Sequence, residues 1–202
     1  MCKIDFKLWK EVLVNPVKTF KKQEKKSDLT LGALNILIAG VVAGFFYGLL
    51  IMSGFSTAGY MQGLRAGIMG TGVGVMGFVL SIVTFPIVYL VSWFITSGIL
   101  YLFAVVLGGK GTFTKQSYLI ALYQSPLIVI QTILLSIPII GPIISLLVGI
   151  YGLYLLTLAL KQVHKVSTGK AIAIWLLPGV IVIALLIIVA LALVISMMPL
   201  MA

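Results

Sequence analysis

Residues 31–52 read LGALNILIAGVVAGFFYGLLIM: twenty-two positions without one Asp, Glu, Lys or Arg. A helix of about 20 apolar residues crosses the roughly 30 Å hydrocarbon core of a bilayer. The stretch carries eight lysines before it, within residues 1–26, and no histidine, cysteine or acid inside it. Four further stretches of the same kind follow it: Phe78–Leu107, Ser117–Ile137, about Ile139–Leu160, and Ala171–Met198. All five lack ionisable acids and bases.

The composition agrees. The chain has 202 residues, 61% of them hydrophobic and 9% charged, where soluble domains are nearer one half and one quarter. A soluble fold of this length cannot hide so much apolar surface. Strands of a transmembrane barrel alternate apolar and polar over about ten residues, and these stretches do not alternate. Helices then remain as the way to satisfy every backbone N–H and C=O in lipid. The expected fold is all-α, a polytopic bundle of five transmembrane helices. Residues 1–28 form a basic segment before it, and residues 29–202 form the membrane domain. The first apolar run exceeds the 7–15 residues of a cleaved signal core.

Charge sets the expected orientation. The N-terminal segment and the connections after the second and fourth spans hold thirteen of the fourteen cations, and Arg65 alone lies in the first connection. By the positive-inside rule the N-terminus lies inside and the C-terminus outside. The net charge of +10 therefore points to the anionic inner leaflet as a partner. Nucleic acid is not expected, because no basic patch interleaves with the aromatics that grip single strands.

Few residues could carry chemistry. All four acids, Asp5, Glu11, Glu24 and Asp28, precede the first span. Hydrolysis needs a general base or a metal site, and proton-coupled transport usually places an ionisable group at membrane depth. Catalytic residues, metal ligands and cofactors are accordingly expected to be none. The single cysteine, Cys2, excludes an internal disulfide. His164, among Lys161, Lys165 and Lys170, reads as a solvated residue at the headgroups; Lys110 and Lys115 read as contacts at the same level. Gln124 and Gln131 are long polar side chains inside the third span. They read as interhelical hydrogen-bonding groups or as the lining of a polar path.

Gly40, Gly44 and Gly48 recur every fourth residue, which makes one smooth stripe on a helix. The stripe suits packing inside the bundle, and also a second copy or another membrane protein. The glycine-rich connection, residues 53–77, fits a re-entrant hairpin or a loop. Ile4, Leu8 and Val12, with Trp9 and Leu13, predict a short interfacial helix that ends near Asn15-Pro16.

Three segments resemble a known family. They are Trp9-x-x-Val12-Leu13-x-x-Pro16-x-x-Thr19-Phe20, GGKGTFTKQSYLIALYQSP at 108–126, and IPIIGPIISLLVGIYGLYLLTLALKQVHKVSTGKA at 137–171. Together they resemble the Yip (Ypt-interacting protein) family, in its bacterial and archaeal branch. The resemblance implies a multi-pass protein of a prokaryotic cell membrane without enzymatic activity. Eukaryotic members bind prenylated GTPases and shape early secretory membranes. Their Asp-Leu-Tyr-Gly-Pro signature is absent, since Asp28-Leu29 runs into Thr30-Leu31-Gly32. The resemblance therefore carries no GTPase partner here. The function it implies is a scaffold or adaptor for protein or lipid partners; a passive transporter, pore or lipid-moving protein is the alternative.

Overall fold

The computed structural model describes residues 6–52, 72–137 and 139–197. The glycine-rich connection, apart from its last few residues, lies outside them, as do Cys2, Arg65 and Pro138.

Seven α-helices account for almost all of the described chain. They are α1 (Phe6–Val14), α2 (Pro16–Gln23), α3 (Leu29–Met52), α4 (Gly72–Val106), α5 (Phe113–Leu134), α6 (Ile140–His164) and α7 (Thr168–Met197), with a short 3₁₀ turn at Glu24–Lys26. Helices α3 to α7 are long and apolar enough to cross a membrane. They match the five predicted spans, with ends displaced by a few residues. The largest displacements are at the start of α4, six residues earlier than the sequence suggests, at the start of α5, four residues earlier, and at the end of α6, four residues later. At α6 the helix continues past the apolar run because the Lys165 and Lys110 N–H groups meet the Lys161 and His164 carbonyls at its end.

Local chemistry sets several boundaries. Asp28 opens α3: its Oδ1 accepts the Thr30 and Leu31 N–H groups at 2.6 and 3.2 Å, as an N-cap should. Pro16 opens α2 at a position where no N–H is needed. Gly108 closes α4 with φ of +81°. Its N–H bonds the Val105 carbonyl at 3.0 Å, and the Gly109 N–H bonds the Ala104 carbonyl at 2.8 Å. This pair of bonds is a Schellman ending, and the positive φ is free of steric cost in glycine.

The end of the bundle holding α1, α2 and the 107–112 and 165–167 connections is here called basal; the opposite end, with the α5–α6 connection, is distal. Helix α3 packs along α4 over nearly its whole length, and against the basal part of α5. The glycine stripe faces α4. A Cβ at Gly40 would lie 2.5 Å from the Pro86 Cα, one at Gly44 would press into the Ser81 carbonyl oxygen, and one at Gly48 would lie 2.5 Å from the Ser81 hydroxyl. Bare backbone lets the two helices meet this closely, and the Ser81 hydroxyl donates to the Gly44 carbonyl at 2.8 Å. At the distal connection, Gly141 is pressed against the Leu134 carbonyl, so a side chain has no room there.

The core lies toward the basal end. Phe20, Trp93, Leu119, Leu122, Leu155, Leu160 and Ile174 are all buried there. Helix α5 is wrapped by protein from Gln116 to Tyr123, whereas every residue of α7 from Gly179 to Leu191 is exposed to the surroundings.

Candidate functional site

Helices α1 and α2 form the floor of the basal end. Val12, Pro16, Thr19, Phe20 and Gln23 are buried, and their spacing makes one continuous stripe through both helices. The stripe meets protein. Phe20 packs edge-on against Tyr123, with ring centroids 6.4 Å apart. The Trp9 Nε1–H donates to Asn35 Oδ1 at 2.8 Å, the Tyr118 hydroxyl donates to Gln23 Oε1 at 3.2 Å, and the Tyr151 hydroxyl donates to the Leu13 carbonyl. The expected interfacial helix is present as α1 and ends at Asn15-Pro16, but it is docked on the bundle. The opposite face carries Lys7, Lys10, Lys18, Lys21, Lys22, Lys25 and Lys26, all exposed.

Glu24 joins this floor to the spans. Its Oε2 accepts from Gln162 Nε2 at 2.6 Å and Lys165 Nζ at 3.1 Å, and Lys115 Nζ lies 3.8 Å from Oε1. Partial burial pushes the Glu24 carboxyl up. The hydrogen bonds from Gln162 and Lys165, with the charges of Lys165 and Lys115, outweigh that and hold it below its ordinary value.

Behind this cluster lies a buried polar chain. The Gly111 N–H donates to His164 Nδ1 at 3.3 Å, His164 Nε2 lies 2.7 Å from Gln116 Oε1, and Gln116 Nε2 donates to the Ser97 carbonyl at 2.8 Å. Since Gly111 supplies a hydrogen to Nδ1, the proton of a neutral ring sits on Nε2 and points at Gln116. His164 is fully buried, which corrects the expectation of a solvated headgroup contact. Its seven-residue neighbourhood is rich in lysine, but the 108–112 segment folds over it: Cβ atoms at Gly109 and Gly111 would lie 2.6 and 3.0 Å from Nδ1. The Lys110 N–H closes the same contact on the His164 carbonyl at 3.2 Å.

The other predicted residues divide in two. Lys110, Lys115, Lys161, Lys165 and Lys170 gather at the basal end, as the sequence places them. Lys115 and Lys165 are engaged with Glu24, Lys161 Nζ donates to the Thr168 hydroxyl at 3.1 Å, and Lys170 Nζ donates to the Leu107 carbonyl at 3.0 Å. That last contact places a cation on the carbonyl end of α4, where the helix dipole favours it. Gln124 and Gln131 lie two turns apart on one face of α5, both half-buried and away from the lysines. Among the described residues, no three His, Cys, Asp or Glu side chains gather as a metal site would require. The sequence reading missed Glu24, Gln116 and Gln162. An acid embedded in Lys21-Lys22-Gln23-Glu24-Lys25-Lys26 was a usable signal for the first, since it marks one position where the lysine run turns toward a cationic partner.

A family model described as the Yip1 domain matches residues 10–195. The chain belongs to the Yip1 domain family. No curated protein and no solved structure matches it. The match begins inside α1, so the docked floor helices are part of the Yip1 domain together with the five spans. With five apolar helices of spanning length, this Yip1-domain chain is an integral, multi-pass membrane protein.

Proposed function

We propose that this Yip1-domain protein is a non-enzymatic scaffold or adaptor of a prokaryotic cell membrane, with its basal end and N-terminus inside and its C-terminus outside. It organises anionic lipid and membrane-protein partners, a second copy of the chain among them. One observation carries the reading: the lysines of α1 and α2 are held on a folded surface fixed to the bundle by Phe20, Trp9 and Glu24. A fixed array of ammonium groups concentrates anionic headgroups at one edge of the protein, each cation near the surface contributing about 1 kcal/mol. A mobile tail of the same charge would not set where lipids or partners sit.

Reconstitution tests this. A scaffold leaves ion leak, small-solute efflux and lipid flip at the protein-free baseline, while crosslinking in cells recovers defined membrane partners. A flux that rises with protein density and falls in Gln124→Leu or Gln131→Leu establishes the alternative of a passive transporter, pore or lipid-moving protein. Orientation has its own test. An impermeant thiol reagent applied to sealed cells should miss Cys2 and label a cysteine introduced at Ala202; the reverse labelling inverts the topology.

A further inference from the structure

The bend between α1 and α2 leaves an open groove of about 470 Å³ beside α6, lined by Val14, Asn15, Pro16, Val17, Lys18, Lys21 and Tyr154. Its chemistry is divided. Val14 and Val17 are 65% and 59% exposed, and Tyr154 is 52% exposed, so the floor and one wall are apolar and open. Lys18 and Lys21 lie one turn apart on α2, and no acid lines the groove. An apolar floor open to the outside is costly against water and favourable against hydrocarbon. Two exposed ammonium groups at its rim favour an anion there.

The groove also has a continuation. Tyr154, Ile150, Leu147 and Ile143 fall on one face of α6 by their spacing, and the three aliphatic residues are 57%, 61% and 61% exposed. From Tyr154 to Ile143 this apolar track runs roughly 16 Å at 1.5 Å per residue. That is close to half of the roughly 30 Å hydrocarbon core, which is the depth of one leaflet. A ligand matching the whole arrangement has a phosphate at one end and a single-leaflet acyl chain at the other.

We propose that this groove is a binding site for one anionic phospholipid, its phosphate between Lys18 and Lys21 and an acyl chain laid along Tyr154, Ile150, Leu147 and Ile143. The site deepens the scaffold reading and rests on the basal end meeting an anionic surface. It gives that surface one preferred lipid position. The pairing of charge with chain track selects against zwitterionic lipids, which bring their own cation to the rim, and against free phosphate, which gains nothing from the track.

The test uses the full-length protein in mild detergent and native mass spectrometry, with long-chain phosphatidylglycerol, dihexanoyl phosphatidylglycerol, phosphatidylcholine and inorganic phosphate as probes. Long-chain phosphatidylglycerol should be retained one per chain, more tightly than any of the other three. The double variant Lys18→Gln/Lys21→Gln should weaken it about thirty-fold, from two headgroup contacts. Lys25→Gln/Lys26→Gln, with the same loss of charge outside the groove, should weaken it less than three-fold. Equal losses in the two doubles overturn the site, as does retention of the dihexanoyl lipid or phosphate as tight as that of the long-chain lipid. Binding of whole protein to anionic vesicles is measured in parallel. If the doubles lose equally while vesicle binding persists, the groove fails and the scaffold reading stands; if vesicle binding is absent in the wild type, the scaffold reading itself fails.

Discussion

Helices α5 and α7 are both apolar spans, yet they live in different solvents. In the most apolar window of α5, 67% of residues are buried by protein, against 6% in that of α7. The α5 window is the less hydrophobic of the two, with a mean hydropathy of 1.4 against 3.1. The order is physical. A helix surrounded by protein can carry Gln116, Tyr118, Ser125 and Thr132, because neighbours or its own carbonyls take their hydrogen bonds. A helix surrounded by lipid has no such partners and must be aliphatic throughout. The basal core and the outer part of α7 differ in the same way: one is held by packing and polar contacts, the other is exposed to the surroundings.

Substitutions can break this contrast. Phe20→Ala removes a fully buried ring from the basal core and should cost about 3–5 kcal/mol. Ile187→Ala, on the exposed part of α7, should stay within about 0.5 kcal/mol. Unfolding in a denaturing detergent titration measures both, and equal losses would mean that α7 is packed against something after all. Gly44→Leu and Gly179→Leu repeat the comparison with one residue type. The first forces a side chain into the Ser81 backbone and should cost about 1–3 kcal/mol; the second has nothing within 4 Å to meet and should leave the thermal midpoint unchanged.

Two smaller effects sharpen the picture. His164→Leu strands the Gly111 N–H and Gln116, and buried unsatisfied groups cost about 1–3 kcal/mol. Gln131→Leu should be near neutral, and a large loss there would show a polar contact in the distal half. A small, pH-dependent effect belongs to Glu24. Its carboxyl is held below the ordinary value of 4.5, so its contribution is complete above that pH and fades as pH falls through the lowered value. Wild type should exceed Glu24→Gln by under about 1 kcal/mol at neutral pH, as mainly exposed ion pairs do. The two should converge once the pH has fallen through that lowered value; a gap that persists in acid would assign the effect to the Gln162 hydrogen bond.

How much of this was legible from the residues follows the same division of solvents. The lipid-facing parts were plain, because a bilayer imposes one requirement on every residue and the aliphatic runs of α3, α4, α6 and α7 record it. The protein-facing parts were partly hidden. The face of Leu8, Trp9 and Val12 was visible as an amphipathic pattern, but the pattern is the same whether it meets lipid or protein, and its continuation through Pro16 to Phe20 was not read. His164 was misplaced because three lysines surround it in sequence, while its burial comes from Gly111, 53 residues away. The Glu24 cluster joins positions 138 and 141 residues apart, which no local period can reveal. The long-polar residues Gln124 and Gln131 drew attention, and Gln116, just before the predicted third span, did not.

The docking of α1 and α2 has a consequence in time. Leu13 leaves the ribosome before Tyr151, which bonds its carbonyl and follows 138 residues later. At roughly 5–20 residues per second, the seat for the floor helices is on the order of ten seconds from existing when those helices emerge. Through that interval their apolar stripe has no protein to cover it. With lysines on the opposite face, the nascent segment has the composition of a surface-seeking peptide until Tyr123 and Tyr151 arrive. The same amphipathic pattern thus suits two surroundings in turn, the one it meets on synthesis and the protein it finally docks on.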